Sequence, residues 1–170
     1  MQDTRQVIIM RHATALPQGP GERDFDRRLS TRGIQEARAI AQWLIHAHGT
    51  PEVIVSSPAA RTRATAEAMA AACTVAAPPV EWDPTLYLAE REVVLESLLG
   101  DPRQLLLVGH NPGLEEALSF LLDDAAAAQV AMVPAAVCVL ALPDGEAIAK
   151  PGMARLMAHM RPELLPRGAP

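Results

Sequence analysis

Aromatic residues are scarce in this 170-residue chain, at 3%, and no basic run accompanies them. With a formal charge of −5, that excludes the interleaved basic and aromatic surface typical of nucleic-acid binders. Cysteine is almost absent too: Cys73 lies in an Ala-rich helical run and Cys138 in an apolar strand-like run, without CxxC or other ligand spacing. Neither a disulfide framework nor a thiolate metal site follows, and a reduced compartment is predicted. Long apolar runs are missing as well. The first, Val7 to Met10, is four residues long and is followed by Arg-His rather than a small-residue cleavage site, unlike a signal peptide. No stretch reaches the roughly 18 apolar residues of a membrane span. A cytoplasmic protein is expected, with no membrane or nucleic-acid partner.

What is present is an ordinary globular composition, 49% hydrophobic and 21% charged. At this length a domain buries about two-thirds of its unfolded surface, so one domain over residues 1–170 is expected to hold without metal or disulfide. "VIIMRH" predicts a buried strand and "PQGPGERDFDRR" a polar surface loop. Ser30 then caps a helix with apolar residues at helical spacing to Gly49. "EVIVSS" predicts a second strand, and the run from Ala59 a helix. "PPVEWDPTLY" is extended or looped, "EREVVLESLLG" a short helix closed by Gly100, and "QLLLVGH" a third strand. "NPGLEEALSFLL" starts a helix with Asn111 as N-cap and Pro112 at its first position. Residues 124–131 read as a helix end and loop. "AAVCVLAL" and "ARLMAHM" predict a C-terminal antiparallel hairpin with a long connection, although the Met and Ala content of the second also suits a helix. The alternation argues an α/β fold, a mostly parallel central sheet covered on both faces.

Ligands of open α/β sheets bind beyond the carboxyl ends of the strands. Three predicted strands end there in Arg11-His12, in Ser56-Ser57-Pro58 followed by Arg61, and in Gly109-His110-Asn111. If the strands are neighbours, two arginines and two histidines converge. Guanidinium forks suit phosphate oxygens, and a neutral imidazole is a competent nucleophile near neutral pH. Two adjacent cations oppose a metal ion, so anion binding fits better than metal binding, and no cofactor is expected. Arg27, Arg28 and Arg63 are solvated or tune the field at the pocket mouth. His46, His48 and His159 read as structural, as do Trp43, Trp82, Met153, Met157 and Met160.

"MRHATA", "LSTRG", "VSSPAARTRATAE" and "LLLVGHNPG", in this order over roughly residues 6 to 120, resemble the histidine phosphatase superfamily. The short chain, "LYLA" and "VGHNP" resemble in particular its SixA-type phosphohistidine phosphatases. The resemblance implies a phosphoglycerate mutase-like, three-layer α/β/α sandwich. It also implies that His12 attacks phosphorus and becomes a covalent phosphohistidine, while Arg11, Arg61 and His110 hold the oxygens. His12 must be neutral to attack, which leaves His110 as the expected cationic imidazole. Asn111 is either a cap or a further donor. Larger members of the superfamily place an acid just after the Leu-Tyr pair, where this chain has Leu88 and Ala89. Asp83, Glu90 and Glu92 are the nearest alternatives. Without a dedicated acid the leaving group must depart easily, which favours a P–N bond over an alkyl ester. A monomer acting on a phosphorylated protein, such as a histidine-containing phosphotransfer domain, is therefore expected. The alternatives are a small-molecule phosphomonoesterase, and a phospho-binding module without turnover.

Overall fold

The computed structural model describes residues 4–165. The inner strands of the sheet alternate two apolar faces, and those faces dictate the layers. Along β1 (Thr4–Arg11), Val7 and Ile9 point to one side and Ile8 and Met10 to the other. β2 (Val53–Ser56) and β4 (Leu105–Gly109) are buried along their whole length, as strands covered on both faces must be. The Ile8 and Met10 face packs on α1 (Thr31–His48) and α2 (Ala60–Ala71) through Ala37, Ile40, Leu44 and Met69. The Val7 and Ile9 face packs on α3 (Arg91–Gly100) and α4 (Gly113–Leu121) through Val94, Leu98, Leu114 and Leu118. Each of the larger of these side chains, Val, Leu, Ile and Met, gains about 1.5–3 kcal/mol by leaving water.

The six strands lie in the order β3-β2-β4-β1-β5-β6. β3 (Val80–Trp82), β2, β4 and β1 are mutually parallel; β5 (Val137–Pro143) runs antiparallel to β1 and pairs with β6 (Arg155–Met160), also antiparallel. The chain steps outward from β1 to β2 to β3, then returns to place β4 between β2 and β1. Right-handed crossovers put α1 and α2 on one face, and the reversal puts α3 and α4 on the other. The carboxyl ends of β1, β4 and β2 therefore stand side by side at the point of reversal, where such sheets open a crevice.

The predicted elements recur with three differences. "PPVEWDPTLY" contains the edge strand β3 and a 3-10 turn at Pro84–Leu86. Residues 124–131 include a short helix, α5 (Asp124–Ala127), capped by Asp123. Asn111 is not a helix cap: the Asn111-Pro112 bond is cis, α4 begins at Gly113, and Pro112 occupies the cap position rather than the first turn. Ser30 caps α1 as expected, its Oγ accepting from the Gly33 amide at 3.0 Å. Among the described residues, no helix is long and apolar enough to cross a membrane.

Candidate active site

β1 delivers its last residues on a fully pinned backbone. The Arg11 amide donates to Ala136 O at 3.0 Å, the His12 amide to Gly109 O at 3.1 Å, and the Ala135 amide to His12 O at 3.1 Å. α2 is tied to the same point: the Ala13 amide donates to Thr65 Oγ1 at 3.1 Å, and that hydroxyl donates to Arg61 O at 2.8 Å. Arg61, on the first turn of α2, and His110, just past β4, are almost wholly buried, at 2% and 3% exposure. The His12 and His110 ring centroids are 5.2 Å apart. The three strand ends thus bring His12, Arg61 and His110 together as their spacing predicts.

The hydrogen bonds assign the tautomers. His12 Nδ1 lies 2.8 Å from Ala13 O, a carbonyl that can only accept, so Nδ1 carries the proton and Nε2 keeps its lone pair. That lone pair accepts from Arg61 Nε at 3.2 Å. His110 Nδ1 accepts from Arg61 Nη2 at 3.3 Å, and its Nε2–H donates to Ser57 Oγ at 3.0 Å. Burial, with the nearby arginines adding to it, lowers the pKa of His12 to about 4. Burial followed by Arg61 lowers that of His110 to about 3. A neutral His12 is what a nucleophile needs. The expected cationic His110 is corrected: in this site it is a neutral acceptor, because protonating Nδ1 would set it against a guanidinium.

Arg11 contrasts with Arg61. Its Nη1 donates to Met132 O at 2.8 Å, while its Nε is buried without a partner. Asn111 Nδ2 donates to the same Met132 carbonyl at 3.1 Å, and its Oδ1 is buried without a partner. Arg11 and Asn111 are thus bound together through one loop carbonyl rather than through the helix start. Among the described residues, no three histidine, cysteine or carboxylate groups gather as metal ligands.

Three participants escape a sequence reading. Asp24 lies in the loop read as mere surface, within a 3-10 turn (Asp24–Asp26). Its Oδ2 accepts from Arg61 Nη2 at 2.9 Å and from the Tyr87 hydroxyl at 2.8 Å, and its Oδ1 from Arg27 Nη1 at 2.9 Å. Burial would raise its pKa, but the bonds from Arg27, Tyr87 and Arg61 outweigh this and hold the carboxyl far below the usual carboxylate range. Tyr87 packs edge-on against His110 and Phe25, with centroids at 5.5 and 5.0 Å. The available signal was Phe25 itself, an aromatic in an otherwise polar loop of a chain with two phenylalanines. Ser57, at the end of β2, accepts a hydrogen bond from His110 Nε2–H through its Oγ, which also receives the amide of Ala59, the cap residue of α2.

The acid candidates lie apart from this network. Asp83 Oδ1 accepts from the amide and hydroxyl of Thr85, at 2.8 and 2.6 Å. Glu92 pairs with Arg91, and Glu90 is exposed ahead of α3. Leu88, at the position after the Leu-Tyr pair, is half exposed with φ of +50°. Arg63 stacks over Trp82 at 4.2 Å, so Trp82 is a surface platform rather than core.

The sequence model of the histidine phosphatase superfamily (branch 1) matches residues 7–93, from the middle of β1 into α3. The chain belongs to this superfamily. The match includes Arg11, His12, Asp24, Arg61 and Tyr87, while His110 lies beyond it. Two solved superfamily-like structures cover nearly the whole fold. The provisionally named phosphohistidine phosphatase SixA of Agrobacterium tumefaciens is 31% identical, with a TM-score of 0.79 over 93% of this chain and 98% of that one. The provisionally named SixA of Nakamurella multipartitia is 27% identical, with a TM-score of 0.79 over 94% of this chain and 97% of that one. An uncharacterised chloroplast protein of Arabidopsis thaliana is 33% identical over 129 residues, 69% of this chain. The chain spans 59% of that relative's length. The fold is the phosphoglycerate mutase-like α/β/α arrangement.

Proposed function

We propose that the protein is a metal-independent phosphatase that hydrolyses phosphohistidine on a partner protein, through a phosphoryl group carried on His12. The observation that carries this reading is the fixed tautomer of His12, whose Nε2 lone pair faces Arg61 while Nδ1–H is held by the Ala13 carbonyl. As the phosphoryl oxygens draw the Arg61 Nε–H off the Nε2 lone pair, Nε2 attacks phosphorus in line, the Nε2–P bond forms, and the P–N bond to the substrate ring breaks. A substrate ring protonated at its other nitrogen departs as neutral imidazole, with the bonding electron pair and without a proton from the enzyme. The phosphorylated His12 ring keeps its Nδ1–H and is therefore cationic, and the Ala13 carbonyl stabilises that charge. Water then attacks phosphorus, the pair returns to Nε2, and phosphate leaves with the proton passing to solvent or to phosphate. No proton moves on or off His12 in either half.

Arg11 and Arg61 neutralise the oxygens, the part of phosphoryl transfer that proteins mainly supply. His110 orients Arg61 by accepting from it, and Asn111 holds the Met132 carbonyl that fixes Arg11. Two guanidinium groups supply the positive charge that a divalent ion provides elsewhere. The SixA names of the 31% and 27% identical structures favour the phosphohistidine substrate. So does the position of Leu88, since an alkoxide leaves poorly without an acid.

Turnover of a phosphohistidine-bearing protein, p-nitrophenyl phosphate and an alkyl phosphomonoester tests the reading. The first two leave without protonation and are expected to be hydrolysed, with EDTA making no difference, while the alkyl ester is expected to be poor. Preferred turnover of the alkyl ester, abolished by Glu90→Gln, Glu92→Gln or Asp83→Asn, would establish the small-molecule phosphomonoesterase instead. Binding of the phosphohistidine protein with no release of phosphate would establish a phospho-binding module.

A further inference from the structure

Arg61 is nearly saturated by its own protein. Nε donates to His12 Nε2, Nη1 to the Asp24 backbone carbonyl at 2.7 Å, and Nη2 both to Asp24 Oδ2 and to His110 Nδ1. A guanidinium has five N–H donors, so one Nη1 hydrogen remains uncommitted. The Asp24 backbone carbonyl already holds the plane of the guanidinium, and the carboxylate is not needed for that. What the carboxylate adds is charge: it is an anion bonded to the cation that a phosphoryl group would use.

Asp24 is itself held from two further sides, by Tyr87 just past the 3-10 turn that follows β3 and by Arg27 within its own loop. Its side chain is one-third exposed, whereas that of Arg61 is 3% exposed. The arginine is therefore the fixed member of the pair, and the aspartate, carried by a loop, is the member that can yield. Three donors on the carboxylate also exclude it as a general acid, because it carries no proton to give.

We infer that Asp24 is a specificity-determining residue, a resident counter-anion on Arg61 that an incoming phosphoryl dianion must displace. The inference rests on reading His12 and the two arginines as a phosphoryl site. A dianion outcompetes the single carboxylate for Arg61, while a phosphodiester, carrying one negative charge, gains too little. The Asp24 carboxylate swings aside while its backbone carbonyl stays on Arg61 Nη1, which widens the mouth of the site where a protein-borne phosphoryl group would enter.

Calorimetric titration of the full chain with inorganic phosphate, and separately with dimethyl phosphate, tests this in wild type and in Asp24→Asn, Tyr87→Phe and Arg61→Ala. Wild type is expected to bind phosphate and Arg61→Ala to lose it. Removing one opposing charge at this partly exposed position should tighten phosphate binding in Asp24→Asn by on the order of tenfold and bring in measurable dimethyl phosphate binding. Tyr87→Phe, which keeps the charge but removes one of its restraints, should tighten phosphate binding by roughly threefold. Phosphate binding that is unchanged or weaker in both Asp24→Asn and Tyr87→Phe would overturn the inference and make Asp24 a support for Arg61. Phosphate bound by none of the proteins, or bound equally by Arg61→Ala, would instead overturn the phosphoryl-site reading and the inference with it.

Discussion

The site has two halves of different physical character. The strand-end half, made of Arg11, His12, Arg61 and His110, sits on backbone that is hydrogen-bonded on every side and on buried strands. The loop half, made of Asp24, Arg27 and Tyr87, reaches the same arginine from half-exposed segments. The first holds reacting groups in one geometry and one tautomer. The second supplies a charge that can be exchanged. A rigid nucleophile with a yielding counter-ion can keep a buried arginine neutralised while idle and still present it to a phosphoryl group.

The backbone packed behind the rigid half, where Gly33 of α1 meets Thr14 two residues past His12, should be the intolerant part. A Cβ on Gly33 would stand 2.0 Å from Thr14 O, the carbonyl that also receives the Ser30 amide and hydroxyl. Backbone cannot give way there cheaply, so Gly33→Ala is expected to lose about 3 kcal/mol or more in chemical denaturation. Gly21, in the loop half at φ of +74° with open space around its Cβ position, should cost only about 1 kcal/mol on substitution by alanine. Equal losses at the two positions would break the distinction between the halves.

Proton linkage gives a smaller effect per residue. His12 and His110 titrate at about 4 and about 3 in the folded protein, below the ordinary 6.5 of the unfolded chain. As pH falls below 6.5 the unfolded state takes up protons that the native site refuses. Stability is therefore complete above that value and falls by about 2 kcal/mol per histidine by pH 5. His110→Gln should remove one share, flattening the thermal-stability profile between pH 6.5 and 5. An unchanged slope in that variant would mean that His110 is not held neutral.

What could be read in advance follows the same division. Arg11, His12, Arg61 and His110 stand next to strongly patterned strands, so periodicity places them at one edge. Ser30 and Gly49 bracket α1 by cap chemistry that is local in sequence. Asp24 meets Arg61 across 37 residues and Tyr87 across 63, contacts that no local pattern encodes. The cap reading of Asn111 fails for a related reason: Asn-Pro-Gly is a sound helix-start signal, and the tertiary position of the Met132 carbonyl draws the side chain elsewhere. β3 reads in sequence as extended or looped chain rather than as a strand, because three residues of edge pairing leave little alternation to detect.

The central claim is that His12 Nε2 is the atom that receives phosphorus, Nδ1 being reserved by Ala13 O. Brief exposure of the protein to a phosphorylated donor, quenching, and assignment of the label by phosphorus NMR and peptide mass spectrometry tests it most directly. The account predicts an acid-labile phosphoryl group on His12, linked through Nε2, and no label in His12→Ala. A label on Nδ1, a label on another residue, or equal labelling of His12→Ala would contradict it.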